Sequence, residues 1–550
     1  MNRRNFLFTS LAGALAIGAK PSPKIAPSGY LLKNARILDG SGRDAYYADL
    51  LVVQDRIQKI GRAKGARSVE IIDLQGECLA PGFIDIHTHT DSQLSVNPHA
   101  ESKLRQGVTT ELTGNCGSSA VPSISDPALD FASYTASLEV LPLSINYASL
   151  VGHGSLRAFA VGEDDRPATE AELGRMKELL ESFINQGAFG LSSGLEYTPG
   201  SFAGADELAE LNRVTSQYNA LYATHMRNEG NRLIEAIQEA VDVAQRSAVR
   251  LQISHLKTEG RSNWSKIDEA IATVEAARNK KVDVHFDRYP YIAFSTGLST
   301  IYPLWLREGG GEAFLSRLKD DAAMEKARPD VEAKVRSANS WDSYFVASVQ
   351  SENNKSIQGK SLQQIADARK TSPFDAARAL MIDEGTNVSI VAFAMSEENL
   401  ARFLRHPLAM IGSDGNALAA TGPLAQGRPH PRSFGTFPRV LGLYARDKKT
   451  FRLEDAVRKM TSLPAAKMKL PLRGEIRVGY YADLVAFNPE TVADTATFEN
   501  PYSYPAGIDY VFVNGICALR KGEINPTKSG RVLRYSNKSQ VAGRRSQVDL

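Results

Sequence analysis

The chain has 550 residues, 65 lysines and arginines against 62 acidic residues, and 43% hydrophobic side chains. That balance of charge excludes an electrostatic nucleic-acid binder, and the ordinary glycine and proline content excludes a collagen-like or low-complexity chain. Three cysteines, Cys78, Cys116 and Cys517, cannot build a disulfide framework.

Residues 1–23 read as an export signal. Arg3-Arg4 supplies the positive start, Phe6 to Ala19 is an uncharged and mostly apolar run, and Ala16-Ile17-Gly18-Ala19 offers small residues for cleavage. The run is shorter than the roughly 20 residues that span a bilayer. Arg3-Arg4-Asn5-Phe6-Leu7 resembles a twin-arginine signal, which makes the periplasm the expected compartment. No later stretch is long and apolar enough to be a membrane span, and the segment after about 526 is polar and basic, read as a frayed tail.

Residues 29–80 alternate short apolar runs with Gly and Asp turns, and 466–535 has the same texture. Two strand-rich flanks around one long centre predict a small β-sandwich domain composed from both chain ends. The centre, 81–465, repeats a different unit. Short apolar strands end in polar clusters, as in GFIDIHTH, LYATHMRNEG and LAMIGSDG, and helix-period segments such as NRLIEAIQEAVDVAQRSA follow several of them. Strand–helix repeats imply parallel strands with right-handed crossovers, and the economical closure is an α/β fold of the TIM-like (β/α)₈ type. Residues 310–385 break the rhythm and read as an inserted segment, a lid or an inert excursion.

Of nine histidines, His87, His89, His225 and His255 fall in the polar clusters that follow barrel-like strands. Cys116 in GNCG and Asp414 in GSDG occupy the same kind of position. Each signal alone is weak, since a lone His after a strand is more often structural. Together they place thiolate and imidazole, a zinc ligand set, at strand ends that a barrel gathers in one place. Side chains alternate along a strand, so His87 and His89 point to the same side. His99 and His406 read as surface residues, and His153 and His285 either lie near the site or pack.

The string APGFIDIHTHTD resembles the first-strand signature of the amidohydrolase superfamily. GNCG, SSGLEYTPG, THMRNEG, ISHLK, GSDG and HPRSFGTFPRVLG, in that order, resemble the D-aminoacylases, or N-acyl-D-amino-acid deacylases, over nearly the whole chain after the signal. The resemblance implies zinc-dependent hydrolysis of the amide bond of N-acyl-D-amino acids. It implies one tightly held Zn²⁺ on Cys116, His225 and His255, and a second, weaker site on His87 and His89 with the same cysteine. It further implies Asp414 as the catalytic carboxylate, Tyr197 and Lys257 as contacts to the substrate carboxylate, and Ser295 and Arg432 near the substrate. The stretch AFGLSSGLEYTPG has no lysine for a carbamate bridge, which speaks against dihydroorotase or hydantoinase chemistry. Three alternatives stay open. They are a dipeptidase-like enzyme for dipeptides with a C-terminal D-residue, a cyclic-amide hydrolase, and a non-catalytic binding barrel. The expected partner is a small molecule, with no nucleic acid.

Overall fold

The computed structural model describes residues 29–63 and 68–536, so the export segment 1–23 lies outside the described residues. Eight parallel strands form the barrel: Phe83–Asp85, Val108–Thr113, Asn146–Ser149 continuing as Val151–Gly152, Gly190–Gly194, Leu221–His225, Arg250–Ile253, Val284–Arg288 and Ala409–Ile411. Their neighbours in the ring are parallel, for example Gly194 opposite His225 and Thr224 opposite Ile253. The ring closes where Thr88 bridges Gly415 and Asp414 N donates to His87 O at 2.8 Å. Val108–Thr113 and Gly190–Gly194 are buried along their whole length, as expected of strands covered on both faces. Helices such as Glu170–Asn185 supply the outer layer. That helix begins in a capping box, with Thr169 accepting from Glu172 N and the Glu172 carboxylate accepting from Thr169 N.

Both chain ends enter one nine-stranded sheet. Gly29–Ile37 pairs antiparallel with Tyr46–Val53 and parallel with Val69–Asp73 and Cys78–Pro81. Cys78–Pro81 pairs in turn with Leu484–Phe487 from the far end of the chain. The sheet folds over a core of Leu32, Leu50, Val52, Leu79, Leu484 and Phe512. Its two halves meet where the Tyr30 ring stands edge-on to Phe512 at 5.1 Å. The sandwich is therefore one continuously hydrogen-bonded sheet rather than two.

The excursion between the seventh and eighth barrel strands is wider than the 310–385 expected from the sequence. It opens with Ala293–Gly297, which pairs antiparallel with Ser389–Phe393, and Tyr344–Ser348 completes that three-stranded sheet. Helices Gly310–Lys319, Asp321–Ala338, Leu362–Arg369 and Pro373–Asp383 pack on it around Tyr302, Phe314, Leu318, Val331, Phe374 and Leu380. An apolar nucleus of this size makes it a folded cap. The segment after 526 is not frayed up to residue 535. Leu533 N donates to Tyr147 O at 2.7 Å and Tyr535 N to Gly187 O at 2.8 Å, so the chain runs along the barrel strands. Among the described residues no helix is long and apolar enough to cross a membrane.

Candidate metal centre

The C-terminal ends of the first, second, sixth and eighth barrel strands bring His87, Cys116, His255 and Asp414 into one group, and His225 from the fifth adjoins it in a second group with Glu229 and the shared His255. Cys116 Sγ lies 3.3 Å from His87 Nε2 and 3.6 Å from His255 Nε2, and His255 Nε2 lies 3.0 Å from His225 Nδ1. One atom each from His87, Cys116, His255 and Asp414 falls within 4.8 Å of all the others. Cys116, His255 and Asp414 hold left-handed backbone, with φ of 51°, 35° and 52°. Non-glycine residues adopt that conformation at a cost, and here it turns each side chain back over the barrel mouth. His89 stands at the rim, with its side chain 30% exposed and Nε2 2.9 Å from Asp414 Oδ1.

The fit to a metal ion rests on the other nitrogen of each ring. His87 Nδ1 is held by Asp287 Oδ1 at 3.0 Å, His255 Nδ1 by Glu229 Oε1 at 2.8 Å, and His225 Nε2 by Glu196 Oε2 at 3.2 Å. A carboxylate on one ring nitrogen keeps its proton there and leaves the opposite lone pair free for a metal. The free atoms are the three that converge. Burial pushes the Cys116 thiol up, but the His87, His225 and His255 rings outweigh it and hold the group well below the ordinary thiol range. Burial lowers the affinity of His225 for a proton, yet Glu229, Cys116 and Glu196 raise its pKa to about 10. The surroundings therefore demand positive charge at this point, and thiolate with imidazole suits zinc.

Asp414 faces the cluster with one oxygen and a cation with the other. Oδ1 lies 2.9 Å from His89 and 3.4 Å from His87, while Oδ2 pairs with Arg432 Nη1 at 2.8 Å. Burial raises its pKa, but Arg432 and the imidazoles hold the carboxyl well below the usual range. Arg432 is fixed from behind by His430, which accepts from Arg432 N at 3.0 Å and donates to Ala293 O at 2.9 Å. A cleft of about 440 Å³ opens over the cluster, lined by Tyr197, Lys257, Ser295 and Arg432 among others. Tyr197 lies against His225 with ring centroids 4.8 Å apart, and its hydroxyl accepts from Thr296 Oγ1 at 3.3 Å. Lys257 is buried in an ion pair with Glu229 and lies 2.8 Å from His255 Nδ1. Ser295 comes from the cap, and its backbone oxygen accepts from Arg432 Nη2 at 3.4 Å. Sequence reasoning missed Glu196, Glu229, Asp287 and His430. His153 is bonded to Glu207 at 2.8 Å and His285 lies 3.4 Å from Asp283, so both serve structure. His406 pairs with Glu275 at 3.1 Å, and His99 with Ser144 at 2.9 Å.

Fold and site together define a metal-dependent barrel enzyme. The amidohydrolase family profile matches residues 70–518, and the chain belongs to that family. D-aminoacylase of Alcaligenes xylosoxydans xylosoxydans is 37% identical over 522 residues, covering 92% of this chain and 98% of that protein. N-acyl-D-glutamate deacylase of the same organism is 34% identical over 527 residues, covering 93% and 97%. The crystal structure of N-acyl-D-glutamate deacylase from Bordetella bronchiseptica, complexed with zinc and a phosphonate inhibitor that mimics the tetrahedral intermediate, superposes with a TM-score of 0.79. It is 32% identical and covers 92% of this chain and 100% of that one.

Proposed function

We propose that the protein is a zinc-dependent amidohydrolase that cleaves the amide bond of N-acyl-D-amino acids, releasing a carboxylate and a free D-amino acid. The observation that carries this is the placement of Asp414 Oδ1 beside a buried thiolate–imidazole cluster, with its second oxygen already held by Arg432. Cys116, His225 and His255 would hold one zinc, and His87 and His89 with Cys116 would offer a second, weaker place. When bound, zinc would supply a water whose pKa is lowered to about 7 and would polarise the scissile carbonyl. The chain's own groups do the rest. Arg432 holds Oδ2 away from the cluster, so Oδ1, the oxygen turned toward the histidines, is the atom that takes the proton of the attacking water and returns it to the departing nitrogen. The side chains of Lys257 and Tyr197, on the cleft wall beside the histidines, anchor the substrate carboxylate and so fix which enantiomer presents its amide to the cluster. Ser295 and Arg432 border the same space. Export through the signal at 1–23 would place this activity in the periplasm.

Asp414→Asn is expected to lower kcat by about 10²–10⁴-fold, the usual yield of a general acid–base, while leaving zinc bound. Near-normal turnover would show that the proton passes elsewhere. A screen of paired N-acetyl D- and L-amino acids, C-terminal D-residue dipeptides and hydantoins with metal-quantified protein tests the reaction. Bound zinc with ring opening only, or with no turnover on any linear amide, refutes the assignment. Replacing Arg3-Arg4 by two lysines should leave the protein in the cytoplasmic fraction.

A further inference from the structure

The three histidine rings are braced differently. Asp287, on the seventh barrel strand, braces His87, and Glu229, in the loop after the fifth, braces His255; their side chains are 2% and 4% exposed. Glu196, which braces His225, is 18% exposed and is held by the cap. Lys334, on the cap helix Asp321–Ala338, places Nζ 2.9 Å from Glu196 Oε1, while Glu196 Oε2 lies 3.2 Å from His225 Nε2. A second cap residue, Arg307, donates to the Glu196 backbone oxygen at 3.2 Å. Lys334 also lies 3.6 Å from Glu259 Oε1 on the barrel side, so it spans the joint between cap and barrel.

We propose that Lys334 is a positioning residue that makes zinc binding depend on a seated cap, by holding Glu196 against His225. A carboxylate has several rotamers, and the lysine selects the one whose second oxygen meets the ring. With that oxygen in place the proton stays on Nε2, and Nδ1 faces His255 and Cys116 with a free lone pair. Without it the ring can rotate or exchange tautomers, and one of the three ligands is lost from its orientation. The inference rests on zinc occupying the site. Its test reads the metal alone, so its failure is distinct from a failure of the substrate assignment.

The zinc dissociation constant of the full-length protein is to be measured by chelator competition for wild type, Lys334→Met, Lys334→Arg, Glu196→Gln and the Lys334→Met/Glu196→Gln pair. Loss of a group that orients a metal-binding histidine weakens metal affinity by about 10–100-fold, and that loss is expected for Lys334→Met and for Glu196→Gln. Lys334→Arg, which keeps the charge, should bind zinc more tightly than Lys334→Met. The double variant should bind zinc no more weakly than Glu196→Gln alone, because the lysine acts through that carboxylate. A lysine that only steadied the cap would show additive losses. Wild-type affinity in either Lys334→Met or Glu196→Gln overturns the proposal, as does additivity in the pair. Glu196→Gln leaves the cap helix untouched, so the proposal stays exposed even if Lys334→Met does not fold.

Discussion

One oxygen of Asp287 accepts from His87 Nδ1 at 3.0 Å and from the His255 backbone N at 2.8 Å, and its other oxygen accepts from Gln252 Nε2 at 2.9 Å. It thus orients one ligand ring and stabilises the left-handed backbone of a second ligand. Asp287→Asn removes the charge and forces an amide donor against one of these donors. Zinc affinity should fall by about 10–100-fold, measured by chelator competition, and an unchanged affinity would deny Asp287 this role. The ligands were legible in the sequence because Cys and His are scarce and sat directly after apolar strands. Asp287, Glu229 and Glu196 were not, because they are three among 62 acidic residues and an acid is ordinarily a solvated surface group. Only the ring beside each one distinguishes it, although Glu196 and Glu229 shared the ligands' position after a strand.

At the scale of elements, the metal centre depends on how tightly strand ends pack. A Cβ on Gly194 would lie 2.0 Å from the Cys116 backbone oxygen, and one on Gly117 would lie 2.6 Å from Gly194 N. The loop that follows the second barrel strand and the end of the fourth therefore touch backbone to backbone beside the thiolate. Gly194→Ala is expected to destabilise the fold by about 1–3 kcal/mol through overpacking and to abolish zinc binding, since the displaced segment carries Cys116. Retention of stoichiometric zinc would contradict it. A buried ion pair fixes the opposite side. Lys103 Nζ lies 2.9 Å from Asp85, donates to Ser413 Oγ at 2.6 Å and to Gly415 O at 3.1 Å, and so brackets Asp414. Lys103→Met strands a buried carboxylate and should cost about 3–5 kcal/mol of stability, read by denaturant unfolding. The barrel was legible from its strand–helix rhythm. The extent of the cap was not, because Ala293–Gly297 and Ser389–Phe393 flank the 310–385 segment, and only their mutual antiparallel pairing shows that they belong to the cap rather than to the ring.

Over the whole molecule, the two chain ends meet in one sheet, and an acid pair marks the seam. Burial first, and then the Asp509 carboxylate, raise the Glu77 pKa from 4.5 to about 7. The folded state then binds more protons than the unfolded one between those values, so this group's contribution to stability declines as pH rises from 4.5 through 7. Glu77→Gln should raise Tm at pH 8 and leave it little changed near pH 5; equal shifts at both would remove the carboxylate pair as the cause. The composite sheet was legible as strand texture at both ends, but not its pairing order, because register depends on partners far away in sequence. That order has a consequence for biosynthesis. Strand Cys78–Pro81 is synthesised before the barrel, and its neighbour Leu484–Phe487 only after it. Throughout synthesis of the barrel one flank of the strands at 29–81 has no native partner, and an open flank invites pairing with other nascent chains. A polypeptide cut short before Leu484 would keep that flank open for good and is expected to aggregate rather than to give a weakened enzyme.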